Sequence, residues 1–274
     1  MGSGGVQLVL SDVDGTLLTS DKALTDASVD AVHALHAAGV AFTVTSSRPP
    51  QGLAMLIEPL AIDVPIGAFN GGVFVDSALR VIDQHPLALG VVAQVVAMLD
   101  DAGLSPWVYT GTTWFVRDAD GPHVQHESDV TQLVPTVTDD LVSALGDGAG
   151  DAAKVVGVSD DHPLVAAAEA SVSAALGEAV SATRSQTYYL DVTNPAANKG
   201  EVVDYLARVL AIPAAAIATI GDGGNDTLMF ARSGISIAMG NASDEVKGTA
   251  TLVTAANDDD GFARAVHELV LPTR

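Results

Sequence analysis

Residues 6–16 read Val6-Gln7-Leu8-Val9-Leu10-Ser11-Asp12-Val13-Asp14-Gly15-Thr16. The first part of this stretch is a short apolar run of the kind that forms a buried strand. The second part places two carboxylates, Asp12 and Asp14, two residues apart just before a glycine. Like charges that close raise each other's cost of ionisation unless a cation or a proton lies between them. The stretch therefore predicts a strand that ends in a site for Mg2+ and phosphate.

Similar apolar runs alternate with helical patterns at both ends of the chain. The predicted strands are residues 6–10, 40–45, 66–69, 216–220, 235–238 and 251–253. The predicted helices are residues 26–38, 51–59, 199–210, 225–231, 243–248 and 259–269. Apolar strands that alternate with helices indicate an α/β fold whose parallel sheet is covered on both faces.

The segment between residues 73 and 187 has a different pattern. It contains two hairpin-like strand pairs, residues 73–75 with 80–82 and residues 107–110 with 113–117. Two further strands are predicted at residues 154–158 and 180–184, and two helices at residues 87–102 and 163–176. We interpret the Gly/Asp-rich residues 146–151 as a loop, and also the segment that carries His123, His126 and Glu127. Short paired strands with helices on one side indicate an α+β module inserted into the α/β domain.

The composition excludes several classes of function. The chain has 274 residues, with 34 acidic against 12 basic side chains and a formal net charge of −22, which disfavours nucleic acid and anionic membranes as partners. It has no cysteine, so disulfides, thiolate catalysis and Cys-based zinc sites are excluded. No apolar run approaches the ~20 residues that span a bilayer. We expect a cytoplasmic protein, either a monomer or a homodimer.

Polar residues follow three of the predicted strands. These residues are Asp12, Ser46 and Asp222. In an open parallel sheet, ligands bind outside the carboxyl ends of the strands, so the three side chains should converge there. Lys199 begins a predicted helix, and its ammonium can reach the same place.

Four ordered motifs of the chain resemble those of the haloacid dehalogenase (HAD) superfamily. They are Asp12-Val13-Asp14-Gly15-Thr16, Thr45-Ser46-Ser47-Arg48-Pro49, Asn198-Lys199-Gly200 and Gly221-Asp222-Gly223-Gly224-Asn225-Asp226. The insert, with Phe69-Asn70-Gly71-Gly72 just before it, resembles the Cof-type subclass IIB, which are mostly sugar-phosphate phosphatases. The resemblance implies a Rossmann-like parallel-sheet core, residues 1–72 and 188–274, and an inserted α+β cap domain, residues 73–187.

The resemblance also implies a role for each motif residue. Asp12 would attack phosphorus and form an aspartyl-phosphate, and Asp14 would act as the general acid and base. The Mg2+ ligands would be Asp12, the backbone carbonyl of Asp14 and Asp222, with Asp226 binding the metal or orienting one of its waters. The residues implied to bind phosphate or substrate are Ser46, Ser47, Arg48, Asn70, Lys199 and Asn225.

Each motif also has a purely structural interpretation. The Asp12–Asp14 pair could form an Asx turn, and Ser46 could cap a helix. The glycine-rich stretch from Gly221 could form only a turn between a strand and a helix. A dinucleotide-binding fingerprint is less well supported, because the acidic residue expected after the second strand is missing. Arg48 could contact phosphate or form a structural ion pair.

The sequence thus predicts a Mg2+-dependent phosphatase of small phosphorylated metabolites, with sugar phosphates as the first expectation. A phosphomutase-type phosphotransferase shares the Asp-x-Asp pair, and a non-catalytic phosphosugar-binding protein is a third interpretation. The motifs alone do not distinguish the phosphatase from the phosphomutase-type phosphotransferase.

Overall fold

The computed structural model of the protein describes residues 5–147 and 150–271. The chain forms two compact units: Met1–Ser47, Leu53–Arg80 and Asn198–Arg274 make the first, and Arg48–Gly52 and Val81–Ala197 the second. The division into a core domain and a cap domain, with limits at residues 72 and 187, remains a prediction. The loop predicted at residues 146–151 includes positions 148 and 149, which lie outside the described residues.

The strands, in chain order, are β1 (Leu8–Ser11), β2 (Ala41–Val44), β3 (Ile66–Ala68), β4 (Val73–Val75), β5 (Val81–Gln84), β6 (Ser105–Tyr109), β7 (Trp114–Val116), β8 (Thr136–Val137), β9 (Lys154–Val158), β10 (Ser181–Gln186), β11 (Tyr189–Thr193), β12 (Ile217–Gly221), β13 (Ile235–Ala238) and β14 (Leu252–Val253). The α-helices are α1 (Asp26–Ala37), α2 (Ala54–Ile57), α3 (Leu89–Asp101), α4 (Val124–Thr131), α5 (His162–Leu176), α6 (Lys199–Val209), α7 (Thr227–Phe230), α8 (Asp244–Lys247) and α9 (Gly261–Arg264). Among the described residues, no helix has the length and apolar character needed to cross a membrane.

The first unit is built on a five-stranded parallel sheet with the order β14-β13-β12-β1-β2. Leu8 of β1 lies beside Ile217 of β12 on one side and Ala41 of β2 on the other. Leu8, Val9 and Leu10 are fully buried, so both faces of the central strand are covered, as its continuous apolar sequence predicts. The sheet confirms the predicted parallel α/β fold.

Polar caps set the starts of the helices that flank this sheet. The Thr25 hydroxyl accepts a hydrogen bond from the Ser28 N–H at the start of α1, and the Asn198 side chain accepts one from the Glu201 N–H at the start of α6. Such caps satisfy backbone donors that have no partner within the helix. The cap on α6 is important for function because it fixes the position of Lys199, the first residue of that helix.

Two predicted helices of the first unit are interrupted. Residues 225–231 form a 3-10 turn, Gly224–Asp226, followed by α7. The last predicted helix begins at Gly261 as α9 and continues as the π-helical segment Ala265–Val270. Asp260 has a left-handed backbone, φ 55°, which a right-handed helix cannot include. The sequence pattern carries no signal for that backbone turn.

The second unit is built on a six-stranded sheet with the order β10-β11-β9-β6-β7-β8. Neighbouring strands in this sheet are antiparallel, except that β7 and β8 are parallel. Helices α3 and α5 contribute Val95, Leu99 and Val165 to one apolar core with Val155 and Leu190 of the sheet. The unit is therefore an α+β module, as predicted.

The loop prediction for the segment that carries His123, His126 and Glu127 was wrong from residue 124 onward, because residues 124–131 form helix α4. Its N-cap residue, His123, has a left-handed backbone and makes no side-chain cap. A helix of eight residues is marginal without tertiary contacts. Here the Tyr109 hydroxyl donates to Glu127 Oε1 at 2.8 Å, a contact between distant segments that periodicity cannot reveal. Strand β11 was also absent from the prediction.

Candidate active site

Three polar residues leave the parallel sheet at the same edge. Asp12 follows β1 and Asp222 follows β12, and the neighbouring residues Ser11 and Ile220 are in register. The Asp12 N–H donates to the Ile220 carbonyl at 2.9 Å, so the two aspartates emerge side by side. On the other side of β1, Ser46 lies just beyond β2 and is buried. The structure thus brings Asp12, Ser46 and Asp222 to one edge of the sheet, as the strand-end argument predicts.

Lys199 joins this edge from α6. Its side chain is 1% exposed, and its Nζ donates to Oδ1 of Asp12 at 2.6 Å and to Oδ1 of Asp226 at 2.5 Å. The two carboxylate side chains are themselves 9% and 0% exposed. Burial of an ion costs several kcal/mol unless an opposite charge and hydrogen bonds compensate it. Lys199 is therefore the group that lets both carboxylates lie in the protein interior.

The glycine-rich loop after β12 folds around the Asp226 carboxylate. Its Oδ2 accepts hydrogen bonds from the N–H groups of Asp222 at 2.9 Å and Gly223 at 2.8 Å. A Cβ at Gly221 would lie 2.4 Å from Asp226 Cγ, so this position has room for glycine alone. Asp226 thereby anchors the loop that holds Asp222 next to the β1 end.

The turn after Asp12 contacts Asp222 as well. Thr16 Oγ1 donates to Asp222 Oδ1 at 2.8 Å, a contact that the sequence analysis did not predict. Gly15 has φ +84°, and a Cβ there would lie 2.5 Å from Asp222 Oδ2. Asp14, whose side chain is 30% exposed, forms an ion pair of 2.8 Å with Lys22. The turn therefore leaves the Asp14 carboxylate in reach of solvent while packing its glycine against Asp222.

Three carboxylates at this edge form what we call the carboxylate cluster, Asp12, Asp222 and Asp226. One oxygen from each lies within 4.8 Å of the other two. Mg2+ prefers carboxylate, water and phosphate oxygens. Three carboxylates face the single ammonium of Lys199, so a divalent cation would balance the remaining charge. The donor set therefore fits a hard divalent cation.

Burial changes the protonation of these groups. Desolvation raises the pKa of Asp12 to about 8; the charge of Lys199 offsets part of the rise, and that of Asp226 adds to it. Desolvation likewise raises the pKa of Asp222. Burial alone would lower the pKa of Lys199, but the charges of Asp12 and Asp226 outweigh it and raise the pKa above its usual value. Lys199 thus stays protonated, and a proton on Asp12 would compete with a cation.

Three predicted phosphate-binding residues are linked in a chain beside β2. The Asn70 N–H donates to the Ser46 carbonyl at 2.7 Å. Asn70 Oδ1 in turn accepts a hydrogen bond from Asn225 Nδ2 at 3.1 Å. Asn70 has a left-handed backbone, φ 56°, which asparagine tolerates better than most residues. The structure therefore places Asn70 between the second and fourth motifs.

The remaining two predicted phosphate-binding residues follow Ser46 directly. Ser47 is exposed. Arg48 belongs to the second unit, and its Nη1 donates to the Gly52 carbonyl at 3.1 Å. Their roles in phosphate binding stay predictions.

Asn241 reaches the same region, and the sequence analysis missed it. It lies beyond β13, and its Nδ2 donates to the Gly15 carbonyl at 2.9 Å and to Asp222 Oδ2 at 3.4 Å. The strand-end argument that selected Asp12 applies equally to β13, which is the neighbour of β12 in the sheet. Applied to that strand, it would have found Asn241.

Comparison with known proteins gives consistent matches over nearly the whole chain. The family described as haloacid dehalogenase-like hydrolase matches residues 9–266. Pyridoxal phosphate phosphatase YbhA of Escherichia coli (strain K12) is 25% identical over 268 residues, which cover 95% of this chain and 97% of that protein.

Two solved structures share the fold. The crystal structure of a haloacid dehalogenase-like hydrolase from Bacteroides thetaiotaomicron has a TM-score of 0.86 and 26% identity, covering 95% of this chain and 98% of that one. The HAD subclass IIB sugar phosphatase BT4131 has a TM-score of 0.79 and 23% identity, covering 94% of this chain and 97% of that one. These similarities extend over both units and confirm the predicted fold class.

Proposed function

Because this chain belongs to the haloacid dehalogenase-like hydrolase family and is a phosphatase of that family, we propose that it hydrolyses small phosphorylated metabolites with the help of Mg2+. The observation that carries the proposal is the contact of Lys199 with Asp12 and Asp226 beside Asp222. Phosphoryl transfer depends mainly on positioning and on the neutralisation of charge. A carboxylate nucleophile, a buried ammonium and oxygen ligands for a cation supply these requirements.

We assign the attack on phosphorus to Asp12. Lys199 holds Oδ1 of this residue at 2.6 Å, which fixes the orientation of the carboxylate. A carboxylate oxygen bonds to phosphorus, the bond from phosphorus to the alcohol oxygen breaks, and an aspartyl-phosphate remains. The same ammonium can neutralise charge on the phosphoryl oxygens as they pass through the transition state.

We assign the proton transfers to Asp14. It gives a proton to the alcohol oxygen as that oxygen leaves, and it then takes one from the water that attacks the aspartyl-phosphate. Phosphate departs, and Asp12 is restored as a carboxylate. The partial exposure of Asp14, at 30% of its side chain, supports this role because the group must meet both the alcohol and water.

The cation would be held by Asp12, the backbone carbonyl of Asp14 and Asp222. Asp226 lies close enough to bind the ion or to orient one of its waters. When bound, Mg2+ balances the charges of the carboxylates and of the phosphoryl oxygens. We propose Ser46, Ser47, Arg48, Asn70 and Asn225 as the groups that, with Lys199, bind phosphate or the rest of the substrate.

The substrate class is narrower than phosphate esters in general. One similar protein is named a pyridoxal phosphate phosphatase and another a sugar phosphatase, and both names denote small phosphorylated substrates. We propose sugar phosphates as the first candidates and assign the choice of leaving group to the predicted cap, residues 73–187. The cytoplasmic location and the monomeric or homodimeric state remain predictions.

The first experiment tests the nucleophile. Asp12→Asn should lower the turnover of an aryl phosphate by at least about a thousandfold, because an amide cannot attack phosphorus. The exposed Asp63 offers a matched control, since Asp63→Asn makes the same chemical change outside the site and should leave turnover unchanged. Near wild-type turnover in Asp12→Asn with Mg2+ present would refute the assignment.

A second experiment separates the alternatives. Phosphate release is measured over sugar phosphates, nucleotides, phosphoglycolate and pyridoxal phosphate, with Mg2+ and with a chelator. Transfer of phosphate to an added sugar would indicate a phosphomutase-type enzyme. Tight binding without release would indicate a phosphosugar-binding protein.

A further inference from the structure

We infer that Asn241 is a positioning residue for the cation site, acting through Gly15 and Asp222. The inference rests on the proposed function, because it concerns the residues that would hold the metal. The residue lies outside all four sequence motifs, but its side-chain amide donates to groups from two of them, the Gly15 carbonyl and Asp222 Oδ2. One side chain therefore joins the turn after β1 to the loop after β12.

The hydrogen bond from Asn241 to the Gly15 carbonyl can fix the local backbone because residue 15 is a glycine. Glycine has the greatest conformational freedom of any residue, and Gly15 has φ +84°. Its own carbonyl belongs to the peptide plane that follows it, and the Asp14 carbonyl belongs to the plane before it. A hydrogen bond of 2.9 Å that holds the first carbonyl restricts the rotation of Gly15, and with it the direction of the Asp14 carbonyl, a proposed metal ligand.

The contact with Asp222 complements the one from Thr16. Thr16 donates to Oδ1 at 2.8 Å, and Asn241 approaches Oδ2 at 3.4 Å. The carboxylate is thus oriented from both of its oxygens. Groups that hydrogen-bond a metal ligand typically change metal affinity by about 10–100-fold when they are removed.

Asn241 is itself held by the C-terminal segment. Its Oδ1 accepts a hydrogen bond from the Asn257 N–H at 3.1 Å, and the N–H of the preceding Gly240 donates to the Ala255 carbonyl at 2.9 Å. Both halves of the side-chain amide are therefore in use, the oxygen toward the support and the nitrogen toward the site. This division fixes the orientation of the amide.

The test compares Asn241→Ala and Asn241→Leu with the wild type. Leucine has the same number of side-chain heavy atoms as asparagine, branched at the same carbon, but no hydrogen-bonding groups, so it keeps the side chain in place while removing the bonds. We expect both variants to require at least about tenfold more Mg2+ for half-maximal aryl-phosphate hydrolysis, with much of kcat recovered at saturating Mg2+. Calorimetric titration of the substrate-free protein with Mg2+ should show the same loss of affinity.

Asp258→Ala is the matched control. Exposed Asp258 accepts hydrogen bonds from the Ser20 N–H at 2.8 Å and the Ser20 hydroxyl at 2.7 Å, so it also ties the C-terminal segment to the region after β1. Its loss should leave Mg2+ affinity unchanged. Wild-type Mg2+ affinity in both Asn241 variants, or an equal loss in Asp258→Ala, would overturn the inference. A wild-type protein that binds Mg2+ without hydrolysing any phosphate ester would instead refute the proposed function.

Discussion

Replacing Lys199 by methionine removes the positive charge between two buried carboxylates. The side chain of Lys199 is 1% exposed, and those of its partners Asp12 and Asp226 are 9% and 0% exposed. Methionine retains most of the apolar stem and its packing, so the main change is the loss of two ionic hydrogen bonds. The two carboxylates would then repel each other without the ammonium between them.

The expected cost is large because neither carboxylate can reach bulk water. Removal of one partner of a buried ion pair destabilises a protein by about 3–5 kcal/mol. A typical free energy of unfolding is about 5–15 kcal/mol, so the first unit should lose a large part of its stability. Mg2+ should reduce this loss, because a divalent cation at the carboxylate cluster takes over part of the charge that the ammonium neutralised.

The assay is urea unfolding of the wild type and Lys199→Met, with EDTA and with Mg2+. Both tryptophans, Trp107 and Trp114, lie in the second unit, so their fluorescence reports on that unit alone. Circular dichroism is needed to follow the first unit. We expect the variant's transition in the first unit to move to lower urea, and to move less when Mg2+ is present.

Lys154→Met provides the control. Lys154 and Asp191 form an ion pair of 3.2 Å in the second unit, with side chains that are 11% and 12% exposed. Loss of this pair should lower the tryptophan-detected stability equally with EDTA and with Mg2+. The reasoning about Lys199 is refuted if Lys199→Met lies within about 1 kcal/mol of the wild type in EDTA, well below the cost of breaking a buried pair, or if Mg2+ leaves its deficit unchanged.

Three further predictions concern protonation, backbone and packing. Burial raises the pKa of Asp12 from 3.8 to about 8, so the folded, metal-free protein holds a proton that the unfolded chain releases. Its free energy of unfolding should therefore fall as the pH rises from 4 toward 8, by at most about 1.4 kcal/mol per pH unit. Mg2+ affinity should rise over the same range, and calorimetric titrations in two buffers with different ionisation enthalpies would count the released proton. Gly15→Ala should cost about 1–2 kcal/mol in backbone strain and at least tenfold in Mg2+ affinity, since its Cβ would lie 2.5 Å from Asp222 Oδ2, and wild-type calorimetric affinity would contradict this. Gly157→Ala should lower the tryptophan-detected stability by about 1–3 kcal/mol without changing Mg2+ affinity, because its Cβ would lie 2.6 Å from Leu99.

The meeting of distant residues at one sheet edge was predictable from the sequence because parallel strands leave few alternatives. Continuous apolar runs identified β1 and β12, and strands that run parallel have their carboxyl ends at the same edge of the sheet. Asp12 and Asp222 could therefore be placed together despite the 209 residues between them. The reach of Lys199 to that edge also followed from its position at the start of a helix.

The parts that escaped prediction depend on contacts rather than on pattern. Helix α4 is short, and its stabilising bond from Tyr109 to Glu127 joins segments whose proximity the sequence does not encode locally. The left-handed backbone of Asp260 delays the start of the last helix to Gly261, although the sequence pattern looked continuous from residue 259. Asn241 was missed because a single asparagine after a strand is usually a turn residue. The strand-end argument would have placed it at this edge of the sheet, but its two acceptors, the Gly15 carbonyl and Asp222 Oδ2, are known only from the structure.

The charge of the site explains how so acidic a chain can act on phosphate. With all three carboxylates ionised, the carboxylate cluster would contribute −3 and Lys199 +1, a local sum of −2 in a protein whose formal net charge is −22. A phosphate dianion would be repelled by such a site. One divalent cation brings the local sum to zero, because −2 and +2 cancel, and leaves the ammonium close to the incoming phosphoryl group. We therefore expect cation binding to be required for substrate binding. That dependence gives residues such as Asn241, which orient the oxygen ligands without touching the substrate, a direct effect on activity.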